Sequence, residues 1–139
     1  MYDRILVAVD GSDHASSAVT HALDLAARHD AVLHALYVVE TRTAYDNAII
    51  DPERRRETLR EAGERELTEV QDRAETEGVE VRTDIEEGAP PEEILAYIED
   101  HDIDAVCMGE RGQSDFKTVL LGSATETVIH ETEVPVVVV

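Results

Sequence analysis

The chain has 139 residues, with 32 Asp and Glu against 12 Lys and Arg, a formal net charge of −20, and one cysteine. A field of that sign repels phosphodiester backbones and anionic lipid and argues against nucleic acid or a membrane surface as partner, while a single thiol excludes an internal disulfide and a cysteine-based zinc site. No apolar stretch reaches membrane-spanning length and no basic segment leads into an apolar core at the start, so the expectation is one soluble cytoplasmic domain, residues 1–139, large enough for its own hydrophobic core. The acids are spread through half-apolar, periodic segments and do not form a single block. That distribution reads as the surface of a protein from a halophile, where counterions screen self-repulsion.

Residues 4–9 form the first apolar run and end in the turn Asp10-Gly11-Ser12. Ser12 or Asp13 can cap a helix whose stripe, Ala15, Ala18, Val19, Ala22, Leu23 and Ala26, follows the 3.6-residue period. Residues 31–39 are long enough for a buried strand. Residues 41–50 lack a period and read as a surface loop, a lid or a passive connector. Asp51-Pro52-Glu53 then supplies a cap, a proline at the first helical position and an acid in the first turn. The helix that follows carries Leu59, Ala62, Leu67, Val70 and Ala74 on one stripe and stops at Gly78. A third strand is expected at 79–85, a stiff turn at Gly88-Ala89-Pro90-Pro91, a short helix from Glu92 to Asp100 and a fourth strand at 104–108. Ser123 is expected to cap a last helix reaching Thr132, and Val136–Val139 to form the last strand. Continuously apolar strands alternating with helices argue for an α/β fold with a parallel sheet covered on both faces.

The fourth strand runs into Gly109-Glu110-Arg111-Gly112, and nine residues later comes Gly122-Ser123. A strand that empties into a glycine loop and then a helix start suits an anion: glycine admits close backbone approach, and the amides and dipole of the helix start favour negative charge. The loop lacks the Gly-Lys-Ser or Gly-Lys-Thr of a Walker motif. It also lies far from the first strand, where a dinucleotide fingerprint belongs. Ser12, Ser123 and Thr125 are also ordinary helix-start residues, and Thr125 can equally be a satisfied first-turn hydroxyl.

This loop resembles the ATP-binding signature of the universal stress protein family. Arg4 to Ser12 is similar to that family's opening strand and turn, and Val119 to Glu126 with Val134 to Val139 is similar to its ending. The resemblance implies a Rossmann-like open parallel sheet of five strands, order 3-2-1-4-5, with helices on both faces. The order would reverse between strands 1 and 4, where Asp10 and Met108-Gly109 flank one crevice. It also implies ribose near Asp10 and Gly109, adenine against backbone near Val9 and Val39, and phosphates along Gly112, Gly122, Ser123 and Thr125. Mg²⁺ would bridge the phosphates, with Asp10 reaching it indirectly. In that strand order Pro135-Val136-Val137-Val138-Val139 is an apolar edge, which predicts a homodimer through residues 135–139. Ala124 departs from the small hydroxyl or Val that the family often carries there.

No catalytic constellation stands out, and no catalytic residue is assigned. His14, His21 and His29 read as surface groups, His34 as a satisfied core group, and His130 lacks a positioned nucleophile. Arg111 and Lys117 are countercharges or solvated loop residues, and Cys107 is a small buried hydrophobe. The function expected is an ATP-binding stress-response or signalling module, for ATP or another adenosine nucleotide, with slow hydrolysis at most. The alternative is a nucleotide-independent dimeric regulator or chaperone-like protein.

Overall fold

The computed structural model describes residues 1–41, 51–111 and 122–139. In chain order the elements are β1 (Arg4–Val9), α1 (Asp13–His29), β2 (Val32–Glu40), α2 (Pro52–Glu77), β3 (Val81–Gly88), α3 (Pro90–Asp100), β4 (Ala105–Met108), α4 (Ser123–Glu131) and β5 (Val136–Val138). The strands form one sheet in the order β3-β2-β1-β4-β5, and every neighbouring pair is parallel. The order runs one way from β1 to β3 and then jumps back to the other side of β1. The turning point lies between β1 and β4, as the resemblance implied.

Two apolar layers hold the sheet. Ile5, Val7 and Val9 of β1 pack with Leu33, Ala35, Tyr37 and Val39 of β2 beneath α1 and α2. On the other face Leu6, Leu36 and Val106 pack beneath Ile94, Tyr97 and Ile98 of α3 and Val128 of α4. The predicted stripe of α1 is buried at every position. Ser12 caps that helix by accepting the Ala15 N–H at 3.1 Å. Asp51 caps α2 through the Glu53 N–H at 3.0 Å, and Gly78 ends it with the left-handed φ of 69° that glycine tolerates.

Several details differ from expectation. β3 runs from Val81 to Gly88, beyond 79–85, because its whole length pairs with β2 up to Glu40↔Gly88. As an edge strand it carries Arg82, Asp84, Glu86 and Glu87, so it lacks the apolar run that marks a central strand. Pro90 and Pro91 belong to the first turn of α3, where a missing N–H costs nothing. Ser123 is the first residue of α4 and not its cap, which is Gly122. In α2 the buried stripe includes Gly63, while Leu59 and Ala62 are only half-buried. A Cβ at Gly63 would sit 2.6 Å from Tyr37 Cδ1, so glycine lets the helix backbone rest on the Tyr37 ring.

Candidate functional site

β1 and β4 end side by side, in a register that pairs Ile5 with Ala105, Leu6 with Val106 and Val7 with Cys107. Val9 is paired with Tyr37 on the other flank. Just past β1, Asp10 Oδ1 accepts the Ser12 N–H at 2.9 Å, and Gly11 makes the turn with φ 83°. This short turn aims the Asp10 carboxylate along the start of α1. Tyr37 pairs with Val9 and its ring rests against Gly63; burial, then the charges of Asp10 and Glu66, raise its pKa and keep its hydroxyl protonated.

Gly109 is the hub of the site. A Cβ there would lie 2.7 Å from His14 Cβ and 2.9 Å from the His14 carbonyl carbon, so the end of β4 abuts the first turn of α1. From the opposite side the Thr125 hydroxyl donates to the Gly109 carbonyl at 2.8 Å. Thr125 is 3% exposed. The starts of α1 and α4 therefore clasp one glycine at the end of β4. Sequence reasoning weighed Gly109 and Thr125 for contact with a ligand and missed this mutual contact. Only the spacing of Thr125 in the first turn of a helix hinted at it.

The loop between β4 and α4 is drawn closed at its base. The Gly122 N–H donates to the Glu110 carbonyl at 2.7 Å, and the Glu110 N–H donates to the Val139 carbonyl at 2.7 Å. Val139, just past β5, thus holds Glu110, and Gly122 stands beside the residue that follows Gly109. Gly122 has φ −62°, so its backbone conformation does not require glycine. Gly112 and Lys117 lie outside the described residues, as do residues 42–50 of the surface loop.

α4 begins without a side-chain cap. The amides of Ser123, Ala124 and Thr125 are in its first turn, where the helix supplies no acceptor. Ser123 is exposed. Val9, Val39 and Met108 are 6%, 1% and 4% exposed, and their side chains belong to the core, which leaves their backbone as the part able to meet a ligand. Arg111 Nε is 3.9 Å from Glu110 Oε1, so its charge is shared with a carboxylate. Among the described residues no group of three or more His, Cys, Asp or Glu is placed to hold a metal ion. A cleft between α1 and α2 adjoins the turn after β1 and is lined by Val9, Gly11, Ser12, Glu66, Glu69 and Arg73. Its two carboxylates make it a poor seat for phosphate.

A model of the universal stress protein family matches residues 1–139. The chain belongs to the universal stress protein family. Universal stress protein MJ0531 of Methanocaldococcus jannaschii is 36% identical over 140 residues, spanning 100% of this chain and 82% of that protein. Among solved structures, the universal stress protein UspA from Lactobacillus plantarum superimposes with a TM-score of 0.89 at 30% identity, covering 99% of this chain and 97% of that one. A universal stress protein solved in complex with cAMP superimposes with a TM-score of 0.71 at 26% identity, covering 99% and 96%. The fold and strand order of this universal stress protein are thus those of its relatives. No helix among the described residues is long and apolar enough to cross a membrane.

Proposed function

We propose that this universal stress protein binds an adenine nucleotide, ATP in the first instance, where β1, β4 and the start of α4 meet, and works as a nucleotide-dependent stress-response or signalling module. The observation that carries this reading is the uncapped start of α4, held against the end of β4 by the Thr125–Gly109 hydrogen bond. Its free first-turn amides suit a phosphate. The complex of a relative with cAMP supports an adenine nucleotide as the ligand class. Ribose would lie between Asp10 and Gly109, adenine against the backbone near Val9 and Val39, and phosphates along Gly112, Gly122, Ser123 and Thr125.

Thr125 takes part through its amide, since its hydroxyl proton is committed to Gly109. Mg²⁺ would arrive with the phosphates, because the described residues offer no ligand cluster of their own, and Asp10 would face it indirectly. Bound there, the ion would neutralise phosphate charge that the −20 chain otherwise repels. Among the described residues none stands ready as a general base, which supports hydrolysis that is slow at most.

Calorimetry with ATP, AMP and cAMP in molar KCl tests the reading, on the wild type and on Gly122→Val. Backbone strain is not introduced at φ −62°, so loss of binding in a folded Gly122→Val reports the space taken by the side chain. Binding should improve with Mg²⁺. No heat from the wild type, or unchanged binding in Gly122→Val, refutes the site.

The apolar edge favours a homodimer in addition. Val137 and Val138 are each 38% exposed on β5, and a two-fold partner would cover them. Light scattering in high salt should find a dimer that Val137→Lys with Val138→Lys dissociates. A dimer that binds no nucleotide would favour the nucleotide-independent regulator instead.

A further inference from the structure

On the α3 face, away from the candidate nucleotide site, a chain of polar groups crosses the apolar layer. His34 of β2 is 5% exposed and Tyr97 of α3 is 3% exposed. His34 Nδ1 is 2.8 Å from the Tyr97 hydroxyl, which donates to Asp84 Oδ2 at 3.1 Å. A hydroxyl has one proton to give, and Asp84 receives it. His34 is therefore the donor of the first bond, through Nδ1–H, and when neutral keeps its lone pair on Nε2. His101, at the end of α3, stacks on the Tyr97 ring with centroids 3.7 Å apart. Its Nδ1 donates to the Tyr97 carbonyl at 3.2 Å.

We propose that His34, Tyr97 and Asp84 form a proton-sensitive latch that holds the C-terminal turn of α3 on the sheet and releases it on acidification. The groups facing His34 are Tyr97 and His101 from α3, Arg82 and Asp84 from β3, and Arg4 from β1. Burial, first of all, and then the charges of His101, Arg82 and Arg4 lower the pKa of His34, and Asp84 alone opposes them. Asp84 reaches His34 only through the Tyr97 hydroxyl. A proton taken up at Nε2 thus places a charge in a low-dielectric layer beside the Arg82 and Arg4 guanidinium groups and the His101 ring, with one carboxylate reached only through Tyr97.

Lifting the last turn of α3 removes Tyr97 and His101 and lets water reach His34, whose ordinary value is 6.5. The released form then binds the proton more tightly than the latched form. Latching is complete above 6.5, weakens as pH falls through that value, and levels off once latched His34 also protonates. The Tyr97 hydroxyl does not titrate in this window, since burial and Asp84 raise its pKa far above its usual value. The same apolar cluster includes Val128 of α4, so release also loosens the packing of α4.

Histidine NMR and amide hydrogen exchange on the full chain in molar KCl, between about pH 7.5 and about pH 5.5, test the latch. The His34 ring should titrate below its ordinary value. The amides of residues 97–101 should lose protection on acidification relative to those of α1, after correction for intrinsic exchange. In His34→Gln, which retains a donor for Tyr97 but cannot take a proton, that selective loss should vanish. Asp84→Asn, at an exposed position, should shift the His34 midpoint further down. His34 titrating at or above its ordinary value, a loss at 97–101 that survives in His34→Gln, or an upward shift in Asp84→Asn overturns the latch. None of these readouts depends on nucleotide binding.

Discussion

Replacing Gly109 with Ala separates two reasons for glycine at the end of β4: room for a ligand, and room for the first turn of α1. The added Cβ would lie 2.7 Å from His14 Cβ, 2.9 Å from the His14 carbonyl carbon and 3.1 Å from the Ala15 nitrogen. Two of these three are backbone atoms of a helix whose stripe is buried against β1, so no side-chain rotation relieves them. Restoring ordinary contact requires the first turn of α1 to move by roughly 1 Å, an overpacking strain worth about 1–3 kcal/mol. With an unfolding entropy of about 2.1 cal/mol/K per residue, that corresponds to a Tm lower by roughly 3–10 °C for a chain of this length. Thermal and urea melts followed by circular dichroism, without nucleotide and in molar KCl, measure it. A double-mutant cycle with His14→Gly should recover part of the loss, since the Cβ–Cβ clash goes while the backbone clashes stay. A Gly109→Ala protein that melts with the wild type would refute the packing argument and leave ligand access as the only reason for this glycine.

Thr125→Val keeps the shape of the side chain but leaves the buried Gly109 carbonyl without the donor at 2.8 Å. It should cost about 1–3 kcal/mol in a urea melt, with Thr125→Ser recovering much of it. Cys107 is fully buried and burial pushes its thiol up to about 11. At about pH 8 it should react with a disulfide reagent only through opening of the structure, at a rate that rises with urea. Immediate full labelling in native buffer would contradict that burial. Stability should also rise with KCl, because screening shortens from ~10 Å to ~3 Å between 0.1 M and 1 M salt while the chain carries −20. An unchanged melt across that range would remove the high-salt reading.

Local chemistry determined much of what could be read in advance. The cap at Ser12, the six-residue apolar stripe of α1, the Asp51-Pro52 start of α2 and its stop at Gly78 each depend on neighbours within a turn or two of chain, and all lie where the residues placed them. The pattern of alternating strands and helices carried the fold class for the same reason. Strand order was not legible in that pattern, because apolar strands buried on both faces look alike; it came from family resemblance and agrees with the sheet. β3 was read two residues early at its start and three at its end because an edge strand has one paired flank and a polar exterior, which weakens its signal. At the site, the glycines pointed to the end of β4, but not to what they touch. The approach of Gly109 to His14, its hydrogen bond with Thr125, the seat of Tyr37 under Gly63 and the His34–Tyr97–Asp84 chain all join residues distant in sequence. Such contacts exist only after the helices have docked on the sheet. Packing geometry between elements decided them, and no local propensity encodes it.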